Sequence, residues 1–218
     1  MSTAIIGLGA IGATVAKHLV DGGEQVVLAA RNEAEATELA ERLGEHASAA
    51  SVPDAIAQSE AIVFAVWLDS MKELIQRHAS ALDGKVVIDP SNAITSDGKG
   101  GFVRTLPDGV SSGSVVAGLL PSGAHYVKAF GTLAADSLAS EANRTPNRVV
   151  LFYATDDERA ASVAERLITA AGFDPVKLGG VDQALRIEVF GDLHQFGGLE
   201  GKLLDAQQAR AAKDVVAA

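Results

Sequence analysis

Apolar residues along this 218-residue chain fall into short continuous runs, separated by longer stretches in which they recur at helical spacing. The runs are Ala4–Ile6, Val26–Ala30, Ala61–Trp67, Val86–Ile88, Tyr126–Phe130 and Val149–Tyr153. Continuous rather than alternating apolar character marks strands buried on both faces, and hence a mostly parallel sheet covered by helices. Helical spacing follows Gly12, where Ile11, Val15, Ala16 and Leu19 share a face, and returns over Glu33–Leu43, Asp54–Gln58, Asp69–Ser80 and Asp157–Ala171. Phe173–Val176 then closes a further strand, helix and strand. Between Asp89 and Ser114 the chain turns polar and glycine-rich, a loop long enough to be functional or mobile, and Ser137–Asn147 is a second polar stretch. From Val181 the helical spacing is broken by Gly191, Gly197, Gly198 and Gly201, and Leu203–Ala218 reads as an alanine-rich surface helix.

The first run enters Gly7-Leu8-Gly9-Ala10-Ile11-Gly12, a G-x-G-x-x-G placed between a buried strand and an amphipathic helix. That context is what a dinucleotide site requires. Gly7 permits the turn, Gly9 lets the backbone approach a pyrophosphate, and Gly12 allows the helix to pack on the strand, while the helix N-terminus offers N–H groups to phosphate. The expected fold is therefore α/β, a Rossmann-type doubly wound sheet, with residues 1–147 as the nucleotide-binding domain and 148–218 as a small C-terminal extension or cap. An NAD site would carry an acid at the end of the second strand, but the chain reads Ala30-Arg31-Asn32 there. Arg31 can grip a 2′-phosphate in two-pronged fashion and Asn32 can add an amide donor, so NADP is expected. The competing ribose acid would be Glu33, which opens the next helix.

Composition narrows the possibilities. A hydrophobic content of 48% supplies an ample core, and the longest wholly apolar stretch, Ala61–Leu68, is too short to span a bilayer. No basic segment precedes an apolar signal core, so a cytoplasmic location is expected. The formal net charge of −10 argues against nucleic acid and anionic membranes as partners. With no cysteine, disulfides, thiol catalysis and thiolate metal sites are excluded.

Some patterns are decoys. Gly109-Val110-Ser111-Ser112-Gly113 matches a nucleophile elbow but lacks the strand before it, and Asn143-Arg144-Thr145 matches a glycosylation acceptor without a secretory context. His18, His46 and His78 fall on helix or loop positions expected to be exposed. Asp192 and His194 offer a metal pair with no third ligand, so no metal is expected. Trp67, the one tryptophan, ends the fourth strand, where it either lines the cofactor crevice or caps the core.

Beyond single motifs, six segments follow one another in a recognisable order: Ile5–Gly12, Ala30-Arg31-Asn32, Ile62–Trp67, Val87-Ile88-Asp89-Pro90-Ser91-Asn92, Val127-Lys128-Ala129-Phe130-Gly131-Thr132 and Ala171–Val176. The chain resembles the NADP oxidoreductase family, coenzyme F-420 (deazaflavin)-dependent, that includes the NADPH:deazaflavin-coenzyme reductases. The resemblance implies a Rossmann domain with a small cap and a deazaflavin in the cleft between them. It further implies that Gly7, Leu8, Gly9, Ala10, Ile11 and Gly12 hold the pyrophosphate and that Arg31 with Asn32 holds the 2′-phosphate. Val66, Trp67, Asn92 and the turn Phe130, Gly131 and Thr132 would lie along the cofactor. One departure is Gly131, where the family commonly has Asn or His, which leaves the acceptor open among F-420, FMN and FAD.

Hydride transfer between NADP(H) and a flavin or deazaflavin ring needs positioning more than a built-in acid, so no catalytic side chain is assigned. A carbonyl or imine reductase would instead need a proton donor, for which Tyr126, Lys128 and His194 are the candidates. A non-catalytic NADP-binding sensor is a third possibility. Gly131 would leave room for a broad ring beside the nicotinamide. The partner is expected to be a small-molecule hydride acceptor, and the apolar residues Val189, Phe190, Leu193, Phe196 and Leu199 suggest a homodimer.

Overall fold

The computed structural model describes residues 2–214. Strand β1 (Ser2–Ile6) leads through the glycine turn into α1 (Ala10–Asp21), followed by β2 (Gln25–Ala29), α2 (Glu33–Leu43), β3 (Ala47–Ala49) and α3 (Val52–Gln58). Then come β4 (Ala61–Phe64), α4 (Leu68–Leu82), β5 (Val86–Asp89), a hairpin of β6 (Ile94–Ser96) and β7 (Phe102–Arg104), α5 (Ser112–Leu119) and β8 (His125–Lys128). The remainder is α6 (Ala135–Ser140), β9 (Val150–Ala154), α7 (Glu158–Ala170), β10 (Asp174–Gly179), a short 3-10 helix (Val181–Ile187) and α8 (Ala206–Lys213).

Eight strands form one sheet in the order β10-β9-β8-β5-β4-β1-β2-β3. Every pairing is parallel except that of β8 with β9, where Lys128 faces Ala154. In β1, Ile5 pairs with Leu28 on one side and Val63 on the other, so the strand is central and buried on both faces. Ile5 faces a cluster with Val15, Leu19 and Leu167, whereas Ala4 and Ile6 face Ile56, Phe64 and Met71. Fully burying each of the larger side chains is worth about 1.5–3 kcal/mol. The expected α/β doubly wound architecture is thus observed.

Local signals account for most helix starts. Asn32 caps α2 by accepting from the Ala34 N–H, Ser51 caps α3, Asp157 caps α7, and Asp205 with Gln208 forms a capping box on α8. Helix α1 begins at Gly9 with no side-chain cap. Among the described residues no helix is long and apolar enough to cross a membrane.

Several sequence expectations change. The loop expected from Asp89 to Ser114 contains β6 and β7, whose three-residue strands are too short for periodicity to reveal, and it ends in α5. Edge strand β3 was hidden for the same reason. The division expected at 147/148 falls just before β9, which joins the same sheet as β8. The segment after β10 packs back on that half, with Ile187, Leu193 and Ala209 against Val150, Phe152 and Val176. His18 is half-buried rather than solvated, its ring edge-on to Phe173 and its Nε2 donating to the Leu138 carbonyl at 3.0 Å. The surface helix expected over Leu203–Ala218 is α8, and positions 215–218 of that expectation lie outside the described residues.

Candidate functional site

A cleft of about 380 Å³ opens at the carboxyl ends of β1, β4 and β5, within the usual range for small-molecule sites. It starts at Gly9, Ala10 and Ile11, runs past Ala65, Val66 and Trp67 and the segment Pro90-Ser91-Asn92, and ends between the hairpin and the C-terminal segment.

Each glycine of the turn has a separate physical reason. Gly7 has φ +93°, and a Cβ there would lie 2.5 Å from the Ala65 carbonyl oxygen. A Cβ on Gly12 would stand 1.9 Å from the Gly7 carbonyl oxygen and 3.0 Å from the Ala65 Cβ, so helix and strand could not close. Gly9 is different: its φ of −66° suits any residue and a Cβ would meet nothing within 4 Å. Folding alone therefore makes no demand for glycine at position 9. A ligand approaching the uncapped start of α1, where the first N–H groups lack intrahelical partners, would make that demand. Arg31 is exposed just beyond the end of β2 and forms no hydrogen bond or ion pair among the described residues, leaving its guanidinium available to an anion. The Asn32 Oδ1 is committed to the cap of α2, so only its amide could donate. These groups fit an NADP-type dinucleotide.

The rest of the cleft is apolar with an aromatic rim. Trp67, Phe102 and Phe196, contributed by the start of α4, the hairpin and the C-terminal segment, are 62%, 42% and 53% exposed. Trp67 therefore lines the crevice and does not cap the core; β4 stops at Phe64, three residues earlier.

Polar groups on the wall are held in place by the layer beneath. The Asn92 amide donates to the Gly131 carbonyl at 3.2 Å and its Oδ1 accepts from the Val189 N–H at 2.7 Å. His194, buried, donates from Nε2 to the same Gly131 carbonyl at 3.0 Å and accepts the Phe196 N–H on Nδ1 at 2.9 Å. Burial and the nearby Lys128 ammonium push its pKa down to about 4, partly countered by the bond to Gly131, so the ring is neutral at pH 7. The Ser91 Oγ is buried and has no partner among the described residues.

Below the wall lies a sealed charged cluster. Lys128 donates to Asp89 Oδ2 at 3.0 Å, to Ser112 Oγ at 2.7 Å and to the Ser91 carbonyl, and lies 3.7 Å from Glu188 Oε1. Tyr126 donates its hydroxyl to Asp89 at 2.7 Å, and burial together with that carboxylate holds its pKa well above the usual phenol range. Glu188 comes from the C-terminal segment and accepts from the Ser112 and Gly113 N–H groups at the start of α5, at 3.0 and 2.9 Å. This pins the segment to the sheet. Gln195 adds a second fastening by accepting from the Ala134 N–H and donating to Ser137.

Of the residues expected along the cofactor, Gly9, Ala10, Ile11, Val66, Trp67 and Asn92 come together in the cleft. Gly7, Leu8 and Gly12 shape the turn, and Arg31 and Asn32 stand at the neighbouring strand end. The turn Phe130, Gly131 and Thr132 does not line the cleft. Phe130 and Thr132 are buried, and Gly131 lacks a side chain because a Cβ would meet the Pro90 carbonyl oxygen at 2.7 Å, not because a ring needs the space. Tyr126 and Lys128 lie beneath the wall with their polar atoms bonded inward, and both His194 nitrogens are used, so none is poised as a proton donor. Asp192 pairs with Arg186, which dissolves the metal pair, and among the described residues no group of three or more His, Cys, Asp or Glu could hold an ion. Ser111 of the elbow-like motif caps α5. Of the apolar residues that suggested a homodimer, Val189 and Leu193 are buried by the chain's own fold. Glu188 and Gln195 were missed because their partners lie far away in sequence, 76 residues in the case of Ser112 and Glu188, and Phe102 and Phe196 because neither belongs to a periodic apolar pattern.

Residues 2–93 match the model of a family described as NADP oxidoreductase, coenzyme F420-dependent. No curated protein matches the sequence. Among solved structures, a hypothetical protein from Sinorhizobium meliloti is 29% identical, with 94% of this chain and 95% of that one covered and a TM-score of 0.81. A "putative f420 dependent nadp-reductase" from Arthrobacter sp. FB24 is 24% identical, covering 84% of this chain and 86% of that one with a TM-score of 0.70. The chain is also similar to a reductive aminase from Aspergillus terreus solved with NADPH and ethyl levulinate, at 25% identity and a TM-score of 0.61. There, 84% of this chain matches 56% of the other.

Proposed function

We propose that this protein is an NADP-dependent oxidoreductase that passes a hydride between NADP(H), held on the glycine turn, and a flavin- or deazaflavin-type ring in the adjoining cleft. The observation that carries this reading is the continuity of one cavity from the uncapped start of α1 into an apolar chamber rimmed by three aromatic side chains. The family match over residues 2–93 and the NADPH seen in the A. terreus relative support the dinucleotide half.

When bound, NADPH supplies a hydride, a proton with two electrons, leaving NADP+, while water supplies the second proton of a reduced flavin-type ring. The chain's residues act by placement. The α1 N-terminus and Arg31 fix the phosphates, Val66 and Pro90 border the chamber, and Asn92 and His194 hold the C-terminal segment against it. Trp67, Phe102 and Phe196 offer flat apolar surface to a ring and keep water out.

A carbonyl or imine acceptor fits less well, because the polar atoms of Tyr126 and Lys128 are bonded beneath the wall and both nitrogens of His194 are already used. Anaerobic NADPH oxidation should be compared for riboflavin, FMN, a deazaflavin, a cyclic imine and a ketone with amine. Turnover confined to the flavin-type rings supports the proposal; turnover of the imine or ketone alone overturns it, and none with any acceptor leaves a cofactor-binding sensor.

A further inference from the structure

Resting on that reading, we infer that the acceptor is recognised through an uncharged planar ring, with no grip for a phosphate-bearing arm. Among the described residues, none that lines the cleft is Lys, Arg, Asp or Glu. The nearest buried cation, Lys128, is enclosed by Asp89, Glu188, Ser112 and the Ser91 carbonyl and has no face toward the cavity. His194 reaches the wall as a neutral imidazole with both nitrogens bonded. The uncapped N–H groups of α1 belong to the dinucleotide end. With a formal charge of −10, the chain supplies no general attraction for an anion either.

What the cleft does offer suits a ring. Trp67, Phe102 and Phe196 come from three different elements and border one cavity, an arrangement that can sandwich a flat aromatic body. Within the wall the Ser91 hydroxyl is buried and, among the described residues, without a partner, a condition that costs stability unless a ligand atom meets it. Its backbone is fixed on both sides, the N–H to Asp89 at 2.7 Å and the carbonyl to Lys128, so the hydroxyl is held for one hydrogen bond to a ring heteroatom. The site therefore reads a neutral ring with a polar edge, such as the bare isoalloxazine of riboflavin or its deaza counterpart. A phosphate or acidic arm extends into solvent.

Trp67, the only tryptophan, stands on the rim and reports binding without turnover. Its fluorescence is titrated with riboflavin, FMN and FAD in saturating NADP+, which cannot donate hydride. The expected result is that FMN and FAD bind no tighter than riboflavin, with ratios that stay level between low and high salt. Tighter binding of FMN or FAD by about tenfold or more, lost in high salt, would overturn the inference while leaving the flavin reading intact. If no ring binds, the flavin reading itself fails and takes the inference with it. As a second measurement, Ser91→Ala should weaken riboflavin by about threefold to tenfold while leaving NADP+ affinity unchanged. Equal losses for both ligands, or none, would remove Ser91 from the ring's contacts.

Discussion

Gly9→Ala and Gly12→Ala add the same methyl group three residues apart and should fail in opposite ways. At Gly12 the new Cβ falls 1.9 Å from the Gly7 carbonyl oxygen and 3.0 Å from the Ala65 Cβ, neither of which can move without parting α1 from β1. Overpacking of this kind costs at least about 3 kcal/mol, which for a domain of this size lowers Tm by roughly 6–12 °C. At Gly9 the Cβ meets nothing within 4 Å and φ is ordinary. Alanine is a poorer N-cap by about 0.5–1 kcal/mol, while the stiffer unfolded chain returns about 0.4–1 kcal/mol, so Tm should stay within about 2 °C of the parent. The methyl nevertheless occupies the space a pyrophosphate would enter. Losing two backbone bonds to a charged group, each worth about 1.5–3 kcal/mol, should weaken NADPH by roughly 100-fold or more. Calorimetric melting and NADPH titration of both variants test the argument. A Gly9→Ala protein that binds NADPH normally would refute the placement of the pyrophosphate, and a Gly12→Ala protein of parental Tm would refute the packing account.

Arg31→Ala should weaken NADPH by about 30-fold, the equivalent of about 2 kcal/mol for one charge-assisted contact, and leave NADH nearly unchanged; equal losses in titrations of both cofactors would remove Arg31 from the 2′-phosphate site. His194 is held near pKa 4 against about 6.5 unfolded, so the unfolded chain binds more protons between those values and stability is lost as pH falls across that window. Denaturant melts at about pH 5 should show about 2 kcal/mol less stability from this group than at pH 7, a difference that His194→Gln abolishes; an unchanged slope in that variant would assign the acid sensitivity elsewhere. Lys128→Met strands two buried carboxylates and should cost about 3–5 kcal/mol in urea melts, yet it and Tyr126→Phe should each reduce turnover of the folded enzyme by less than about 100-fold. A larger loss with NADPH binding intact would identify a proton donor and revive the carbonyl or imine reading.

The part of the site legible in the sequence is the part built from local chain. The strand, turn and helix around Gly7–Gly12 announce themselves because all three requirements act within a few residues, and Arg31 follows from its position at the end of the next buried strand. Apolar runs located β1, β2, β4, β5, β8 and β9 because burial on both faces leaves few polar positions to break them, the buried Lys128 of β8 being an exception. The acceptor side was far less readable. Phe102 sits in a three-residue strand within a glycine-rich stretch, and Phe196 among glycines, so neither belongs to a periodic pattern. Glu188 reads as an ordinary charged residue until the fold brings it to the start of α5, and Gly131 reads as open space when it is in fact a close approach of two backbones. The C-terminal segment looked like a separate cap because its apolar residues lack helical order, yet they face β9 and β10 of the main sheet.

The most direct test of the central claim follows the transferred hydrogen itself. NADPH carrying deuterium at C4 of the nicotinamide is mixed anaerobically with the protein and a deazaflavin, whose C5 is carbon and keeps the hydrogen it receives, and the product is weighed by mass spectrometry. The account predicts deuterium on the deazaflavin from one face of the nicotinamide only, with the label retained on NADP+ when the opposite face carries it, and with transfer by Gly9→Ala requiring roughly 100-fold more NADPH. A reduced deazaflavin without deuterium from either face, or no reduction while NADPH remains bound, would contradict hydride passage within this cleft.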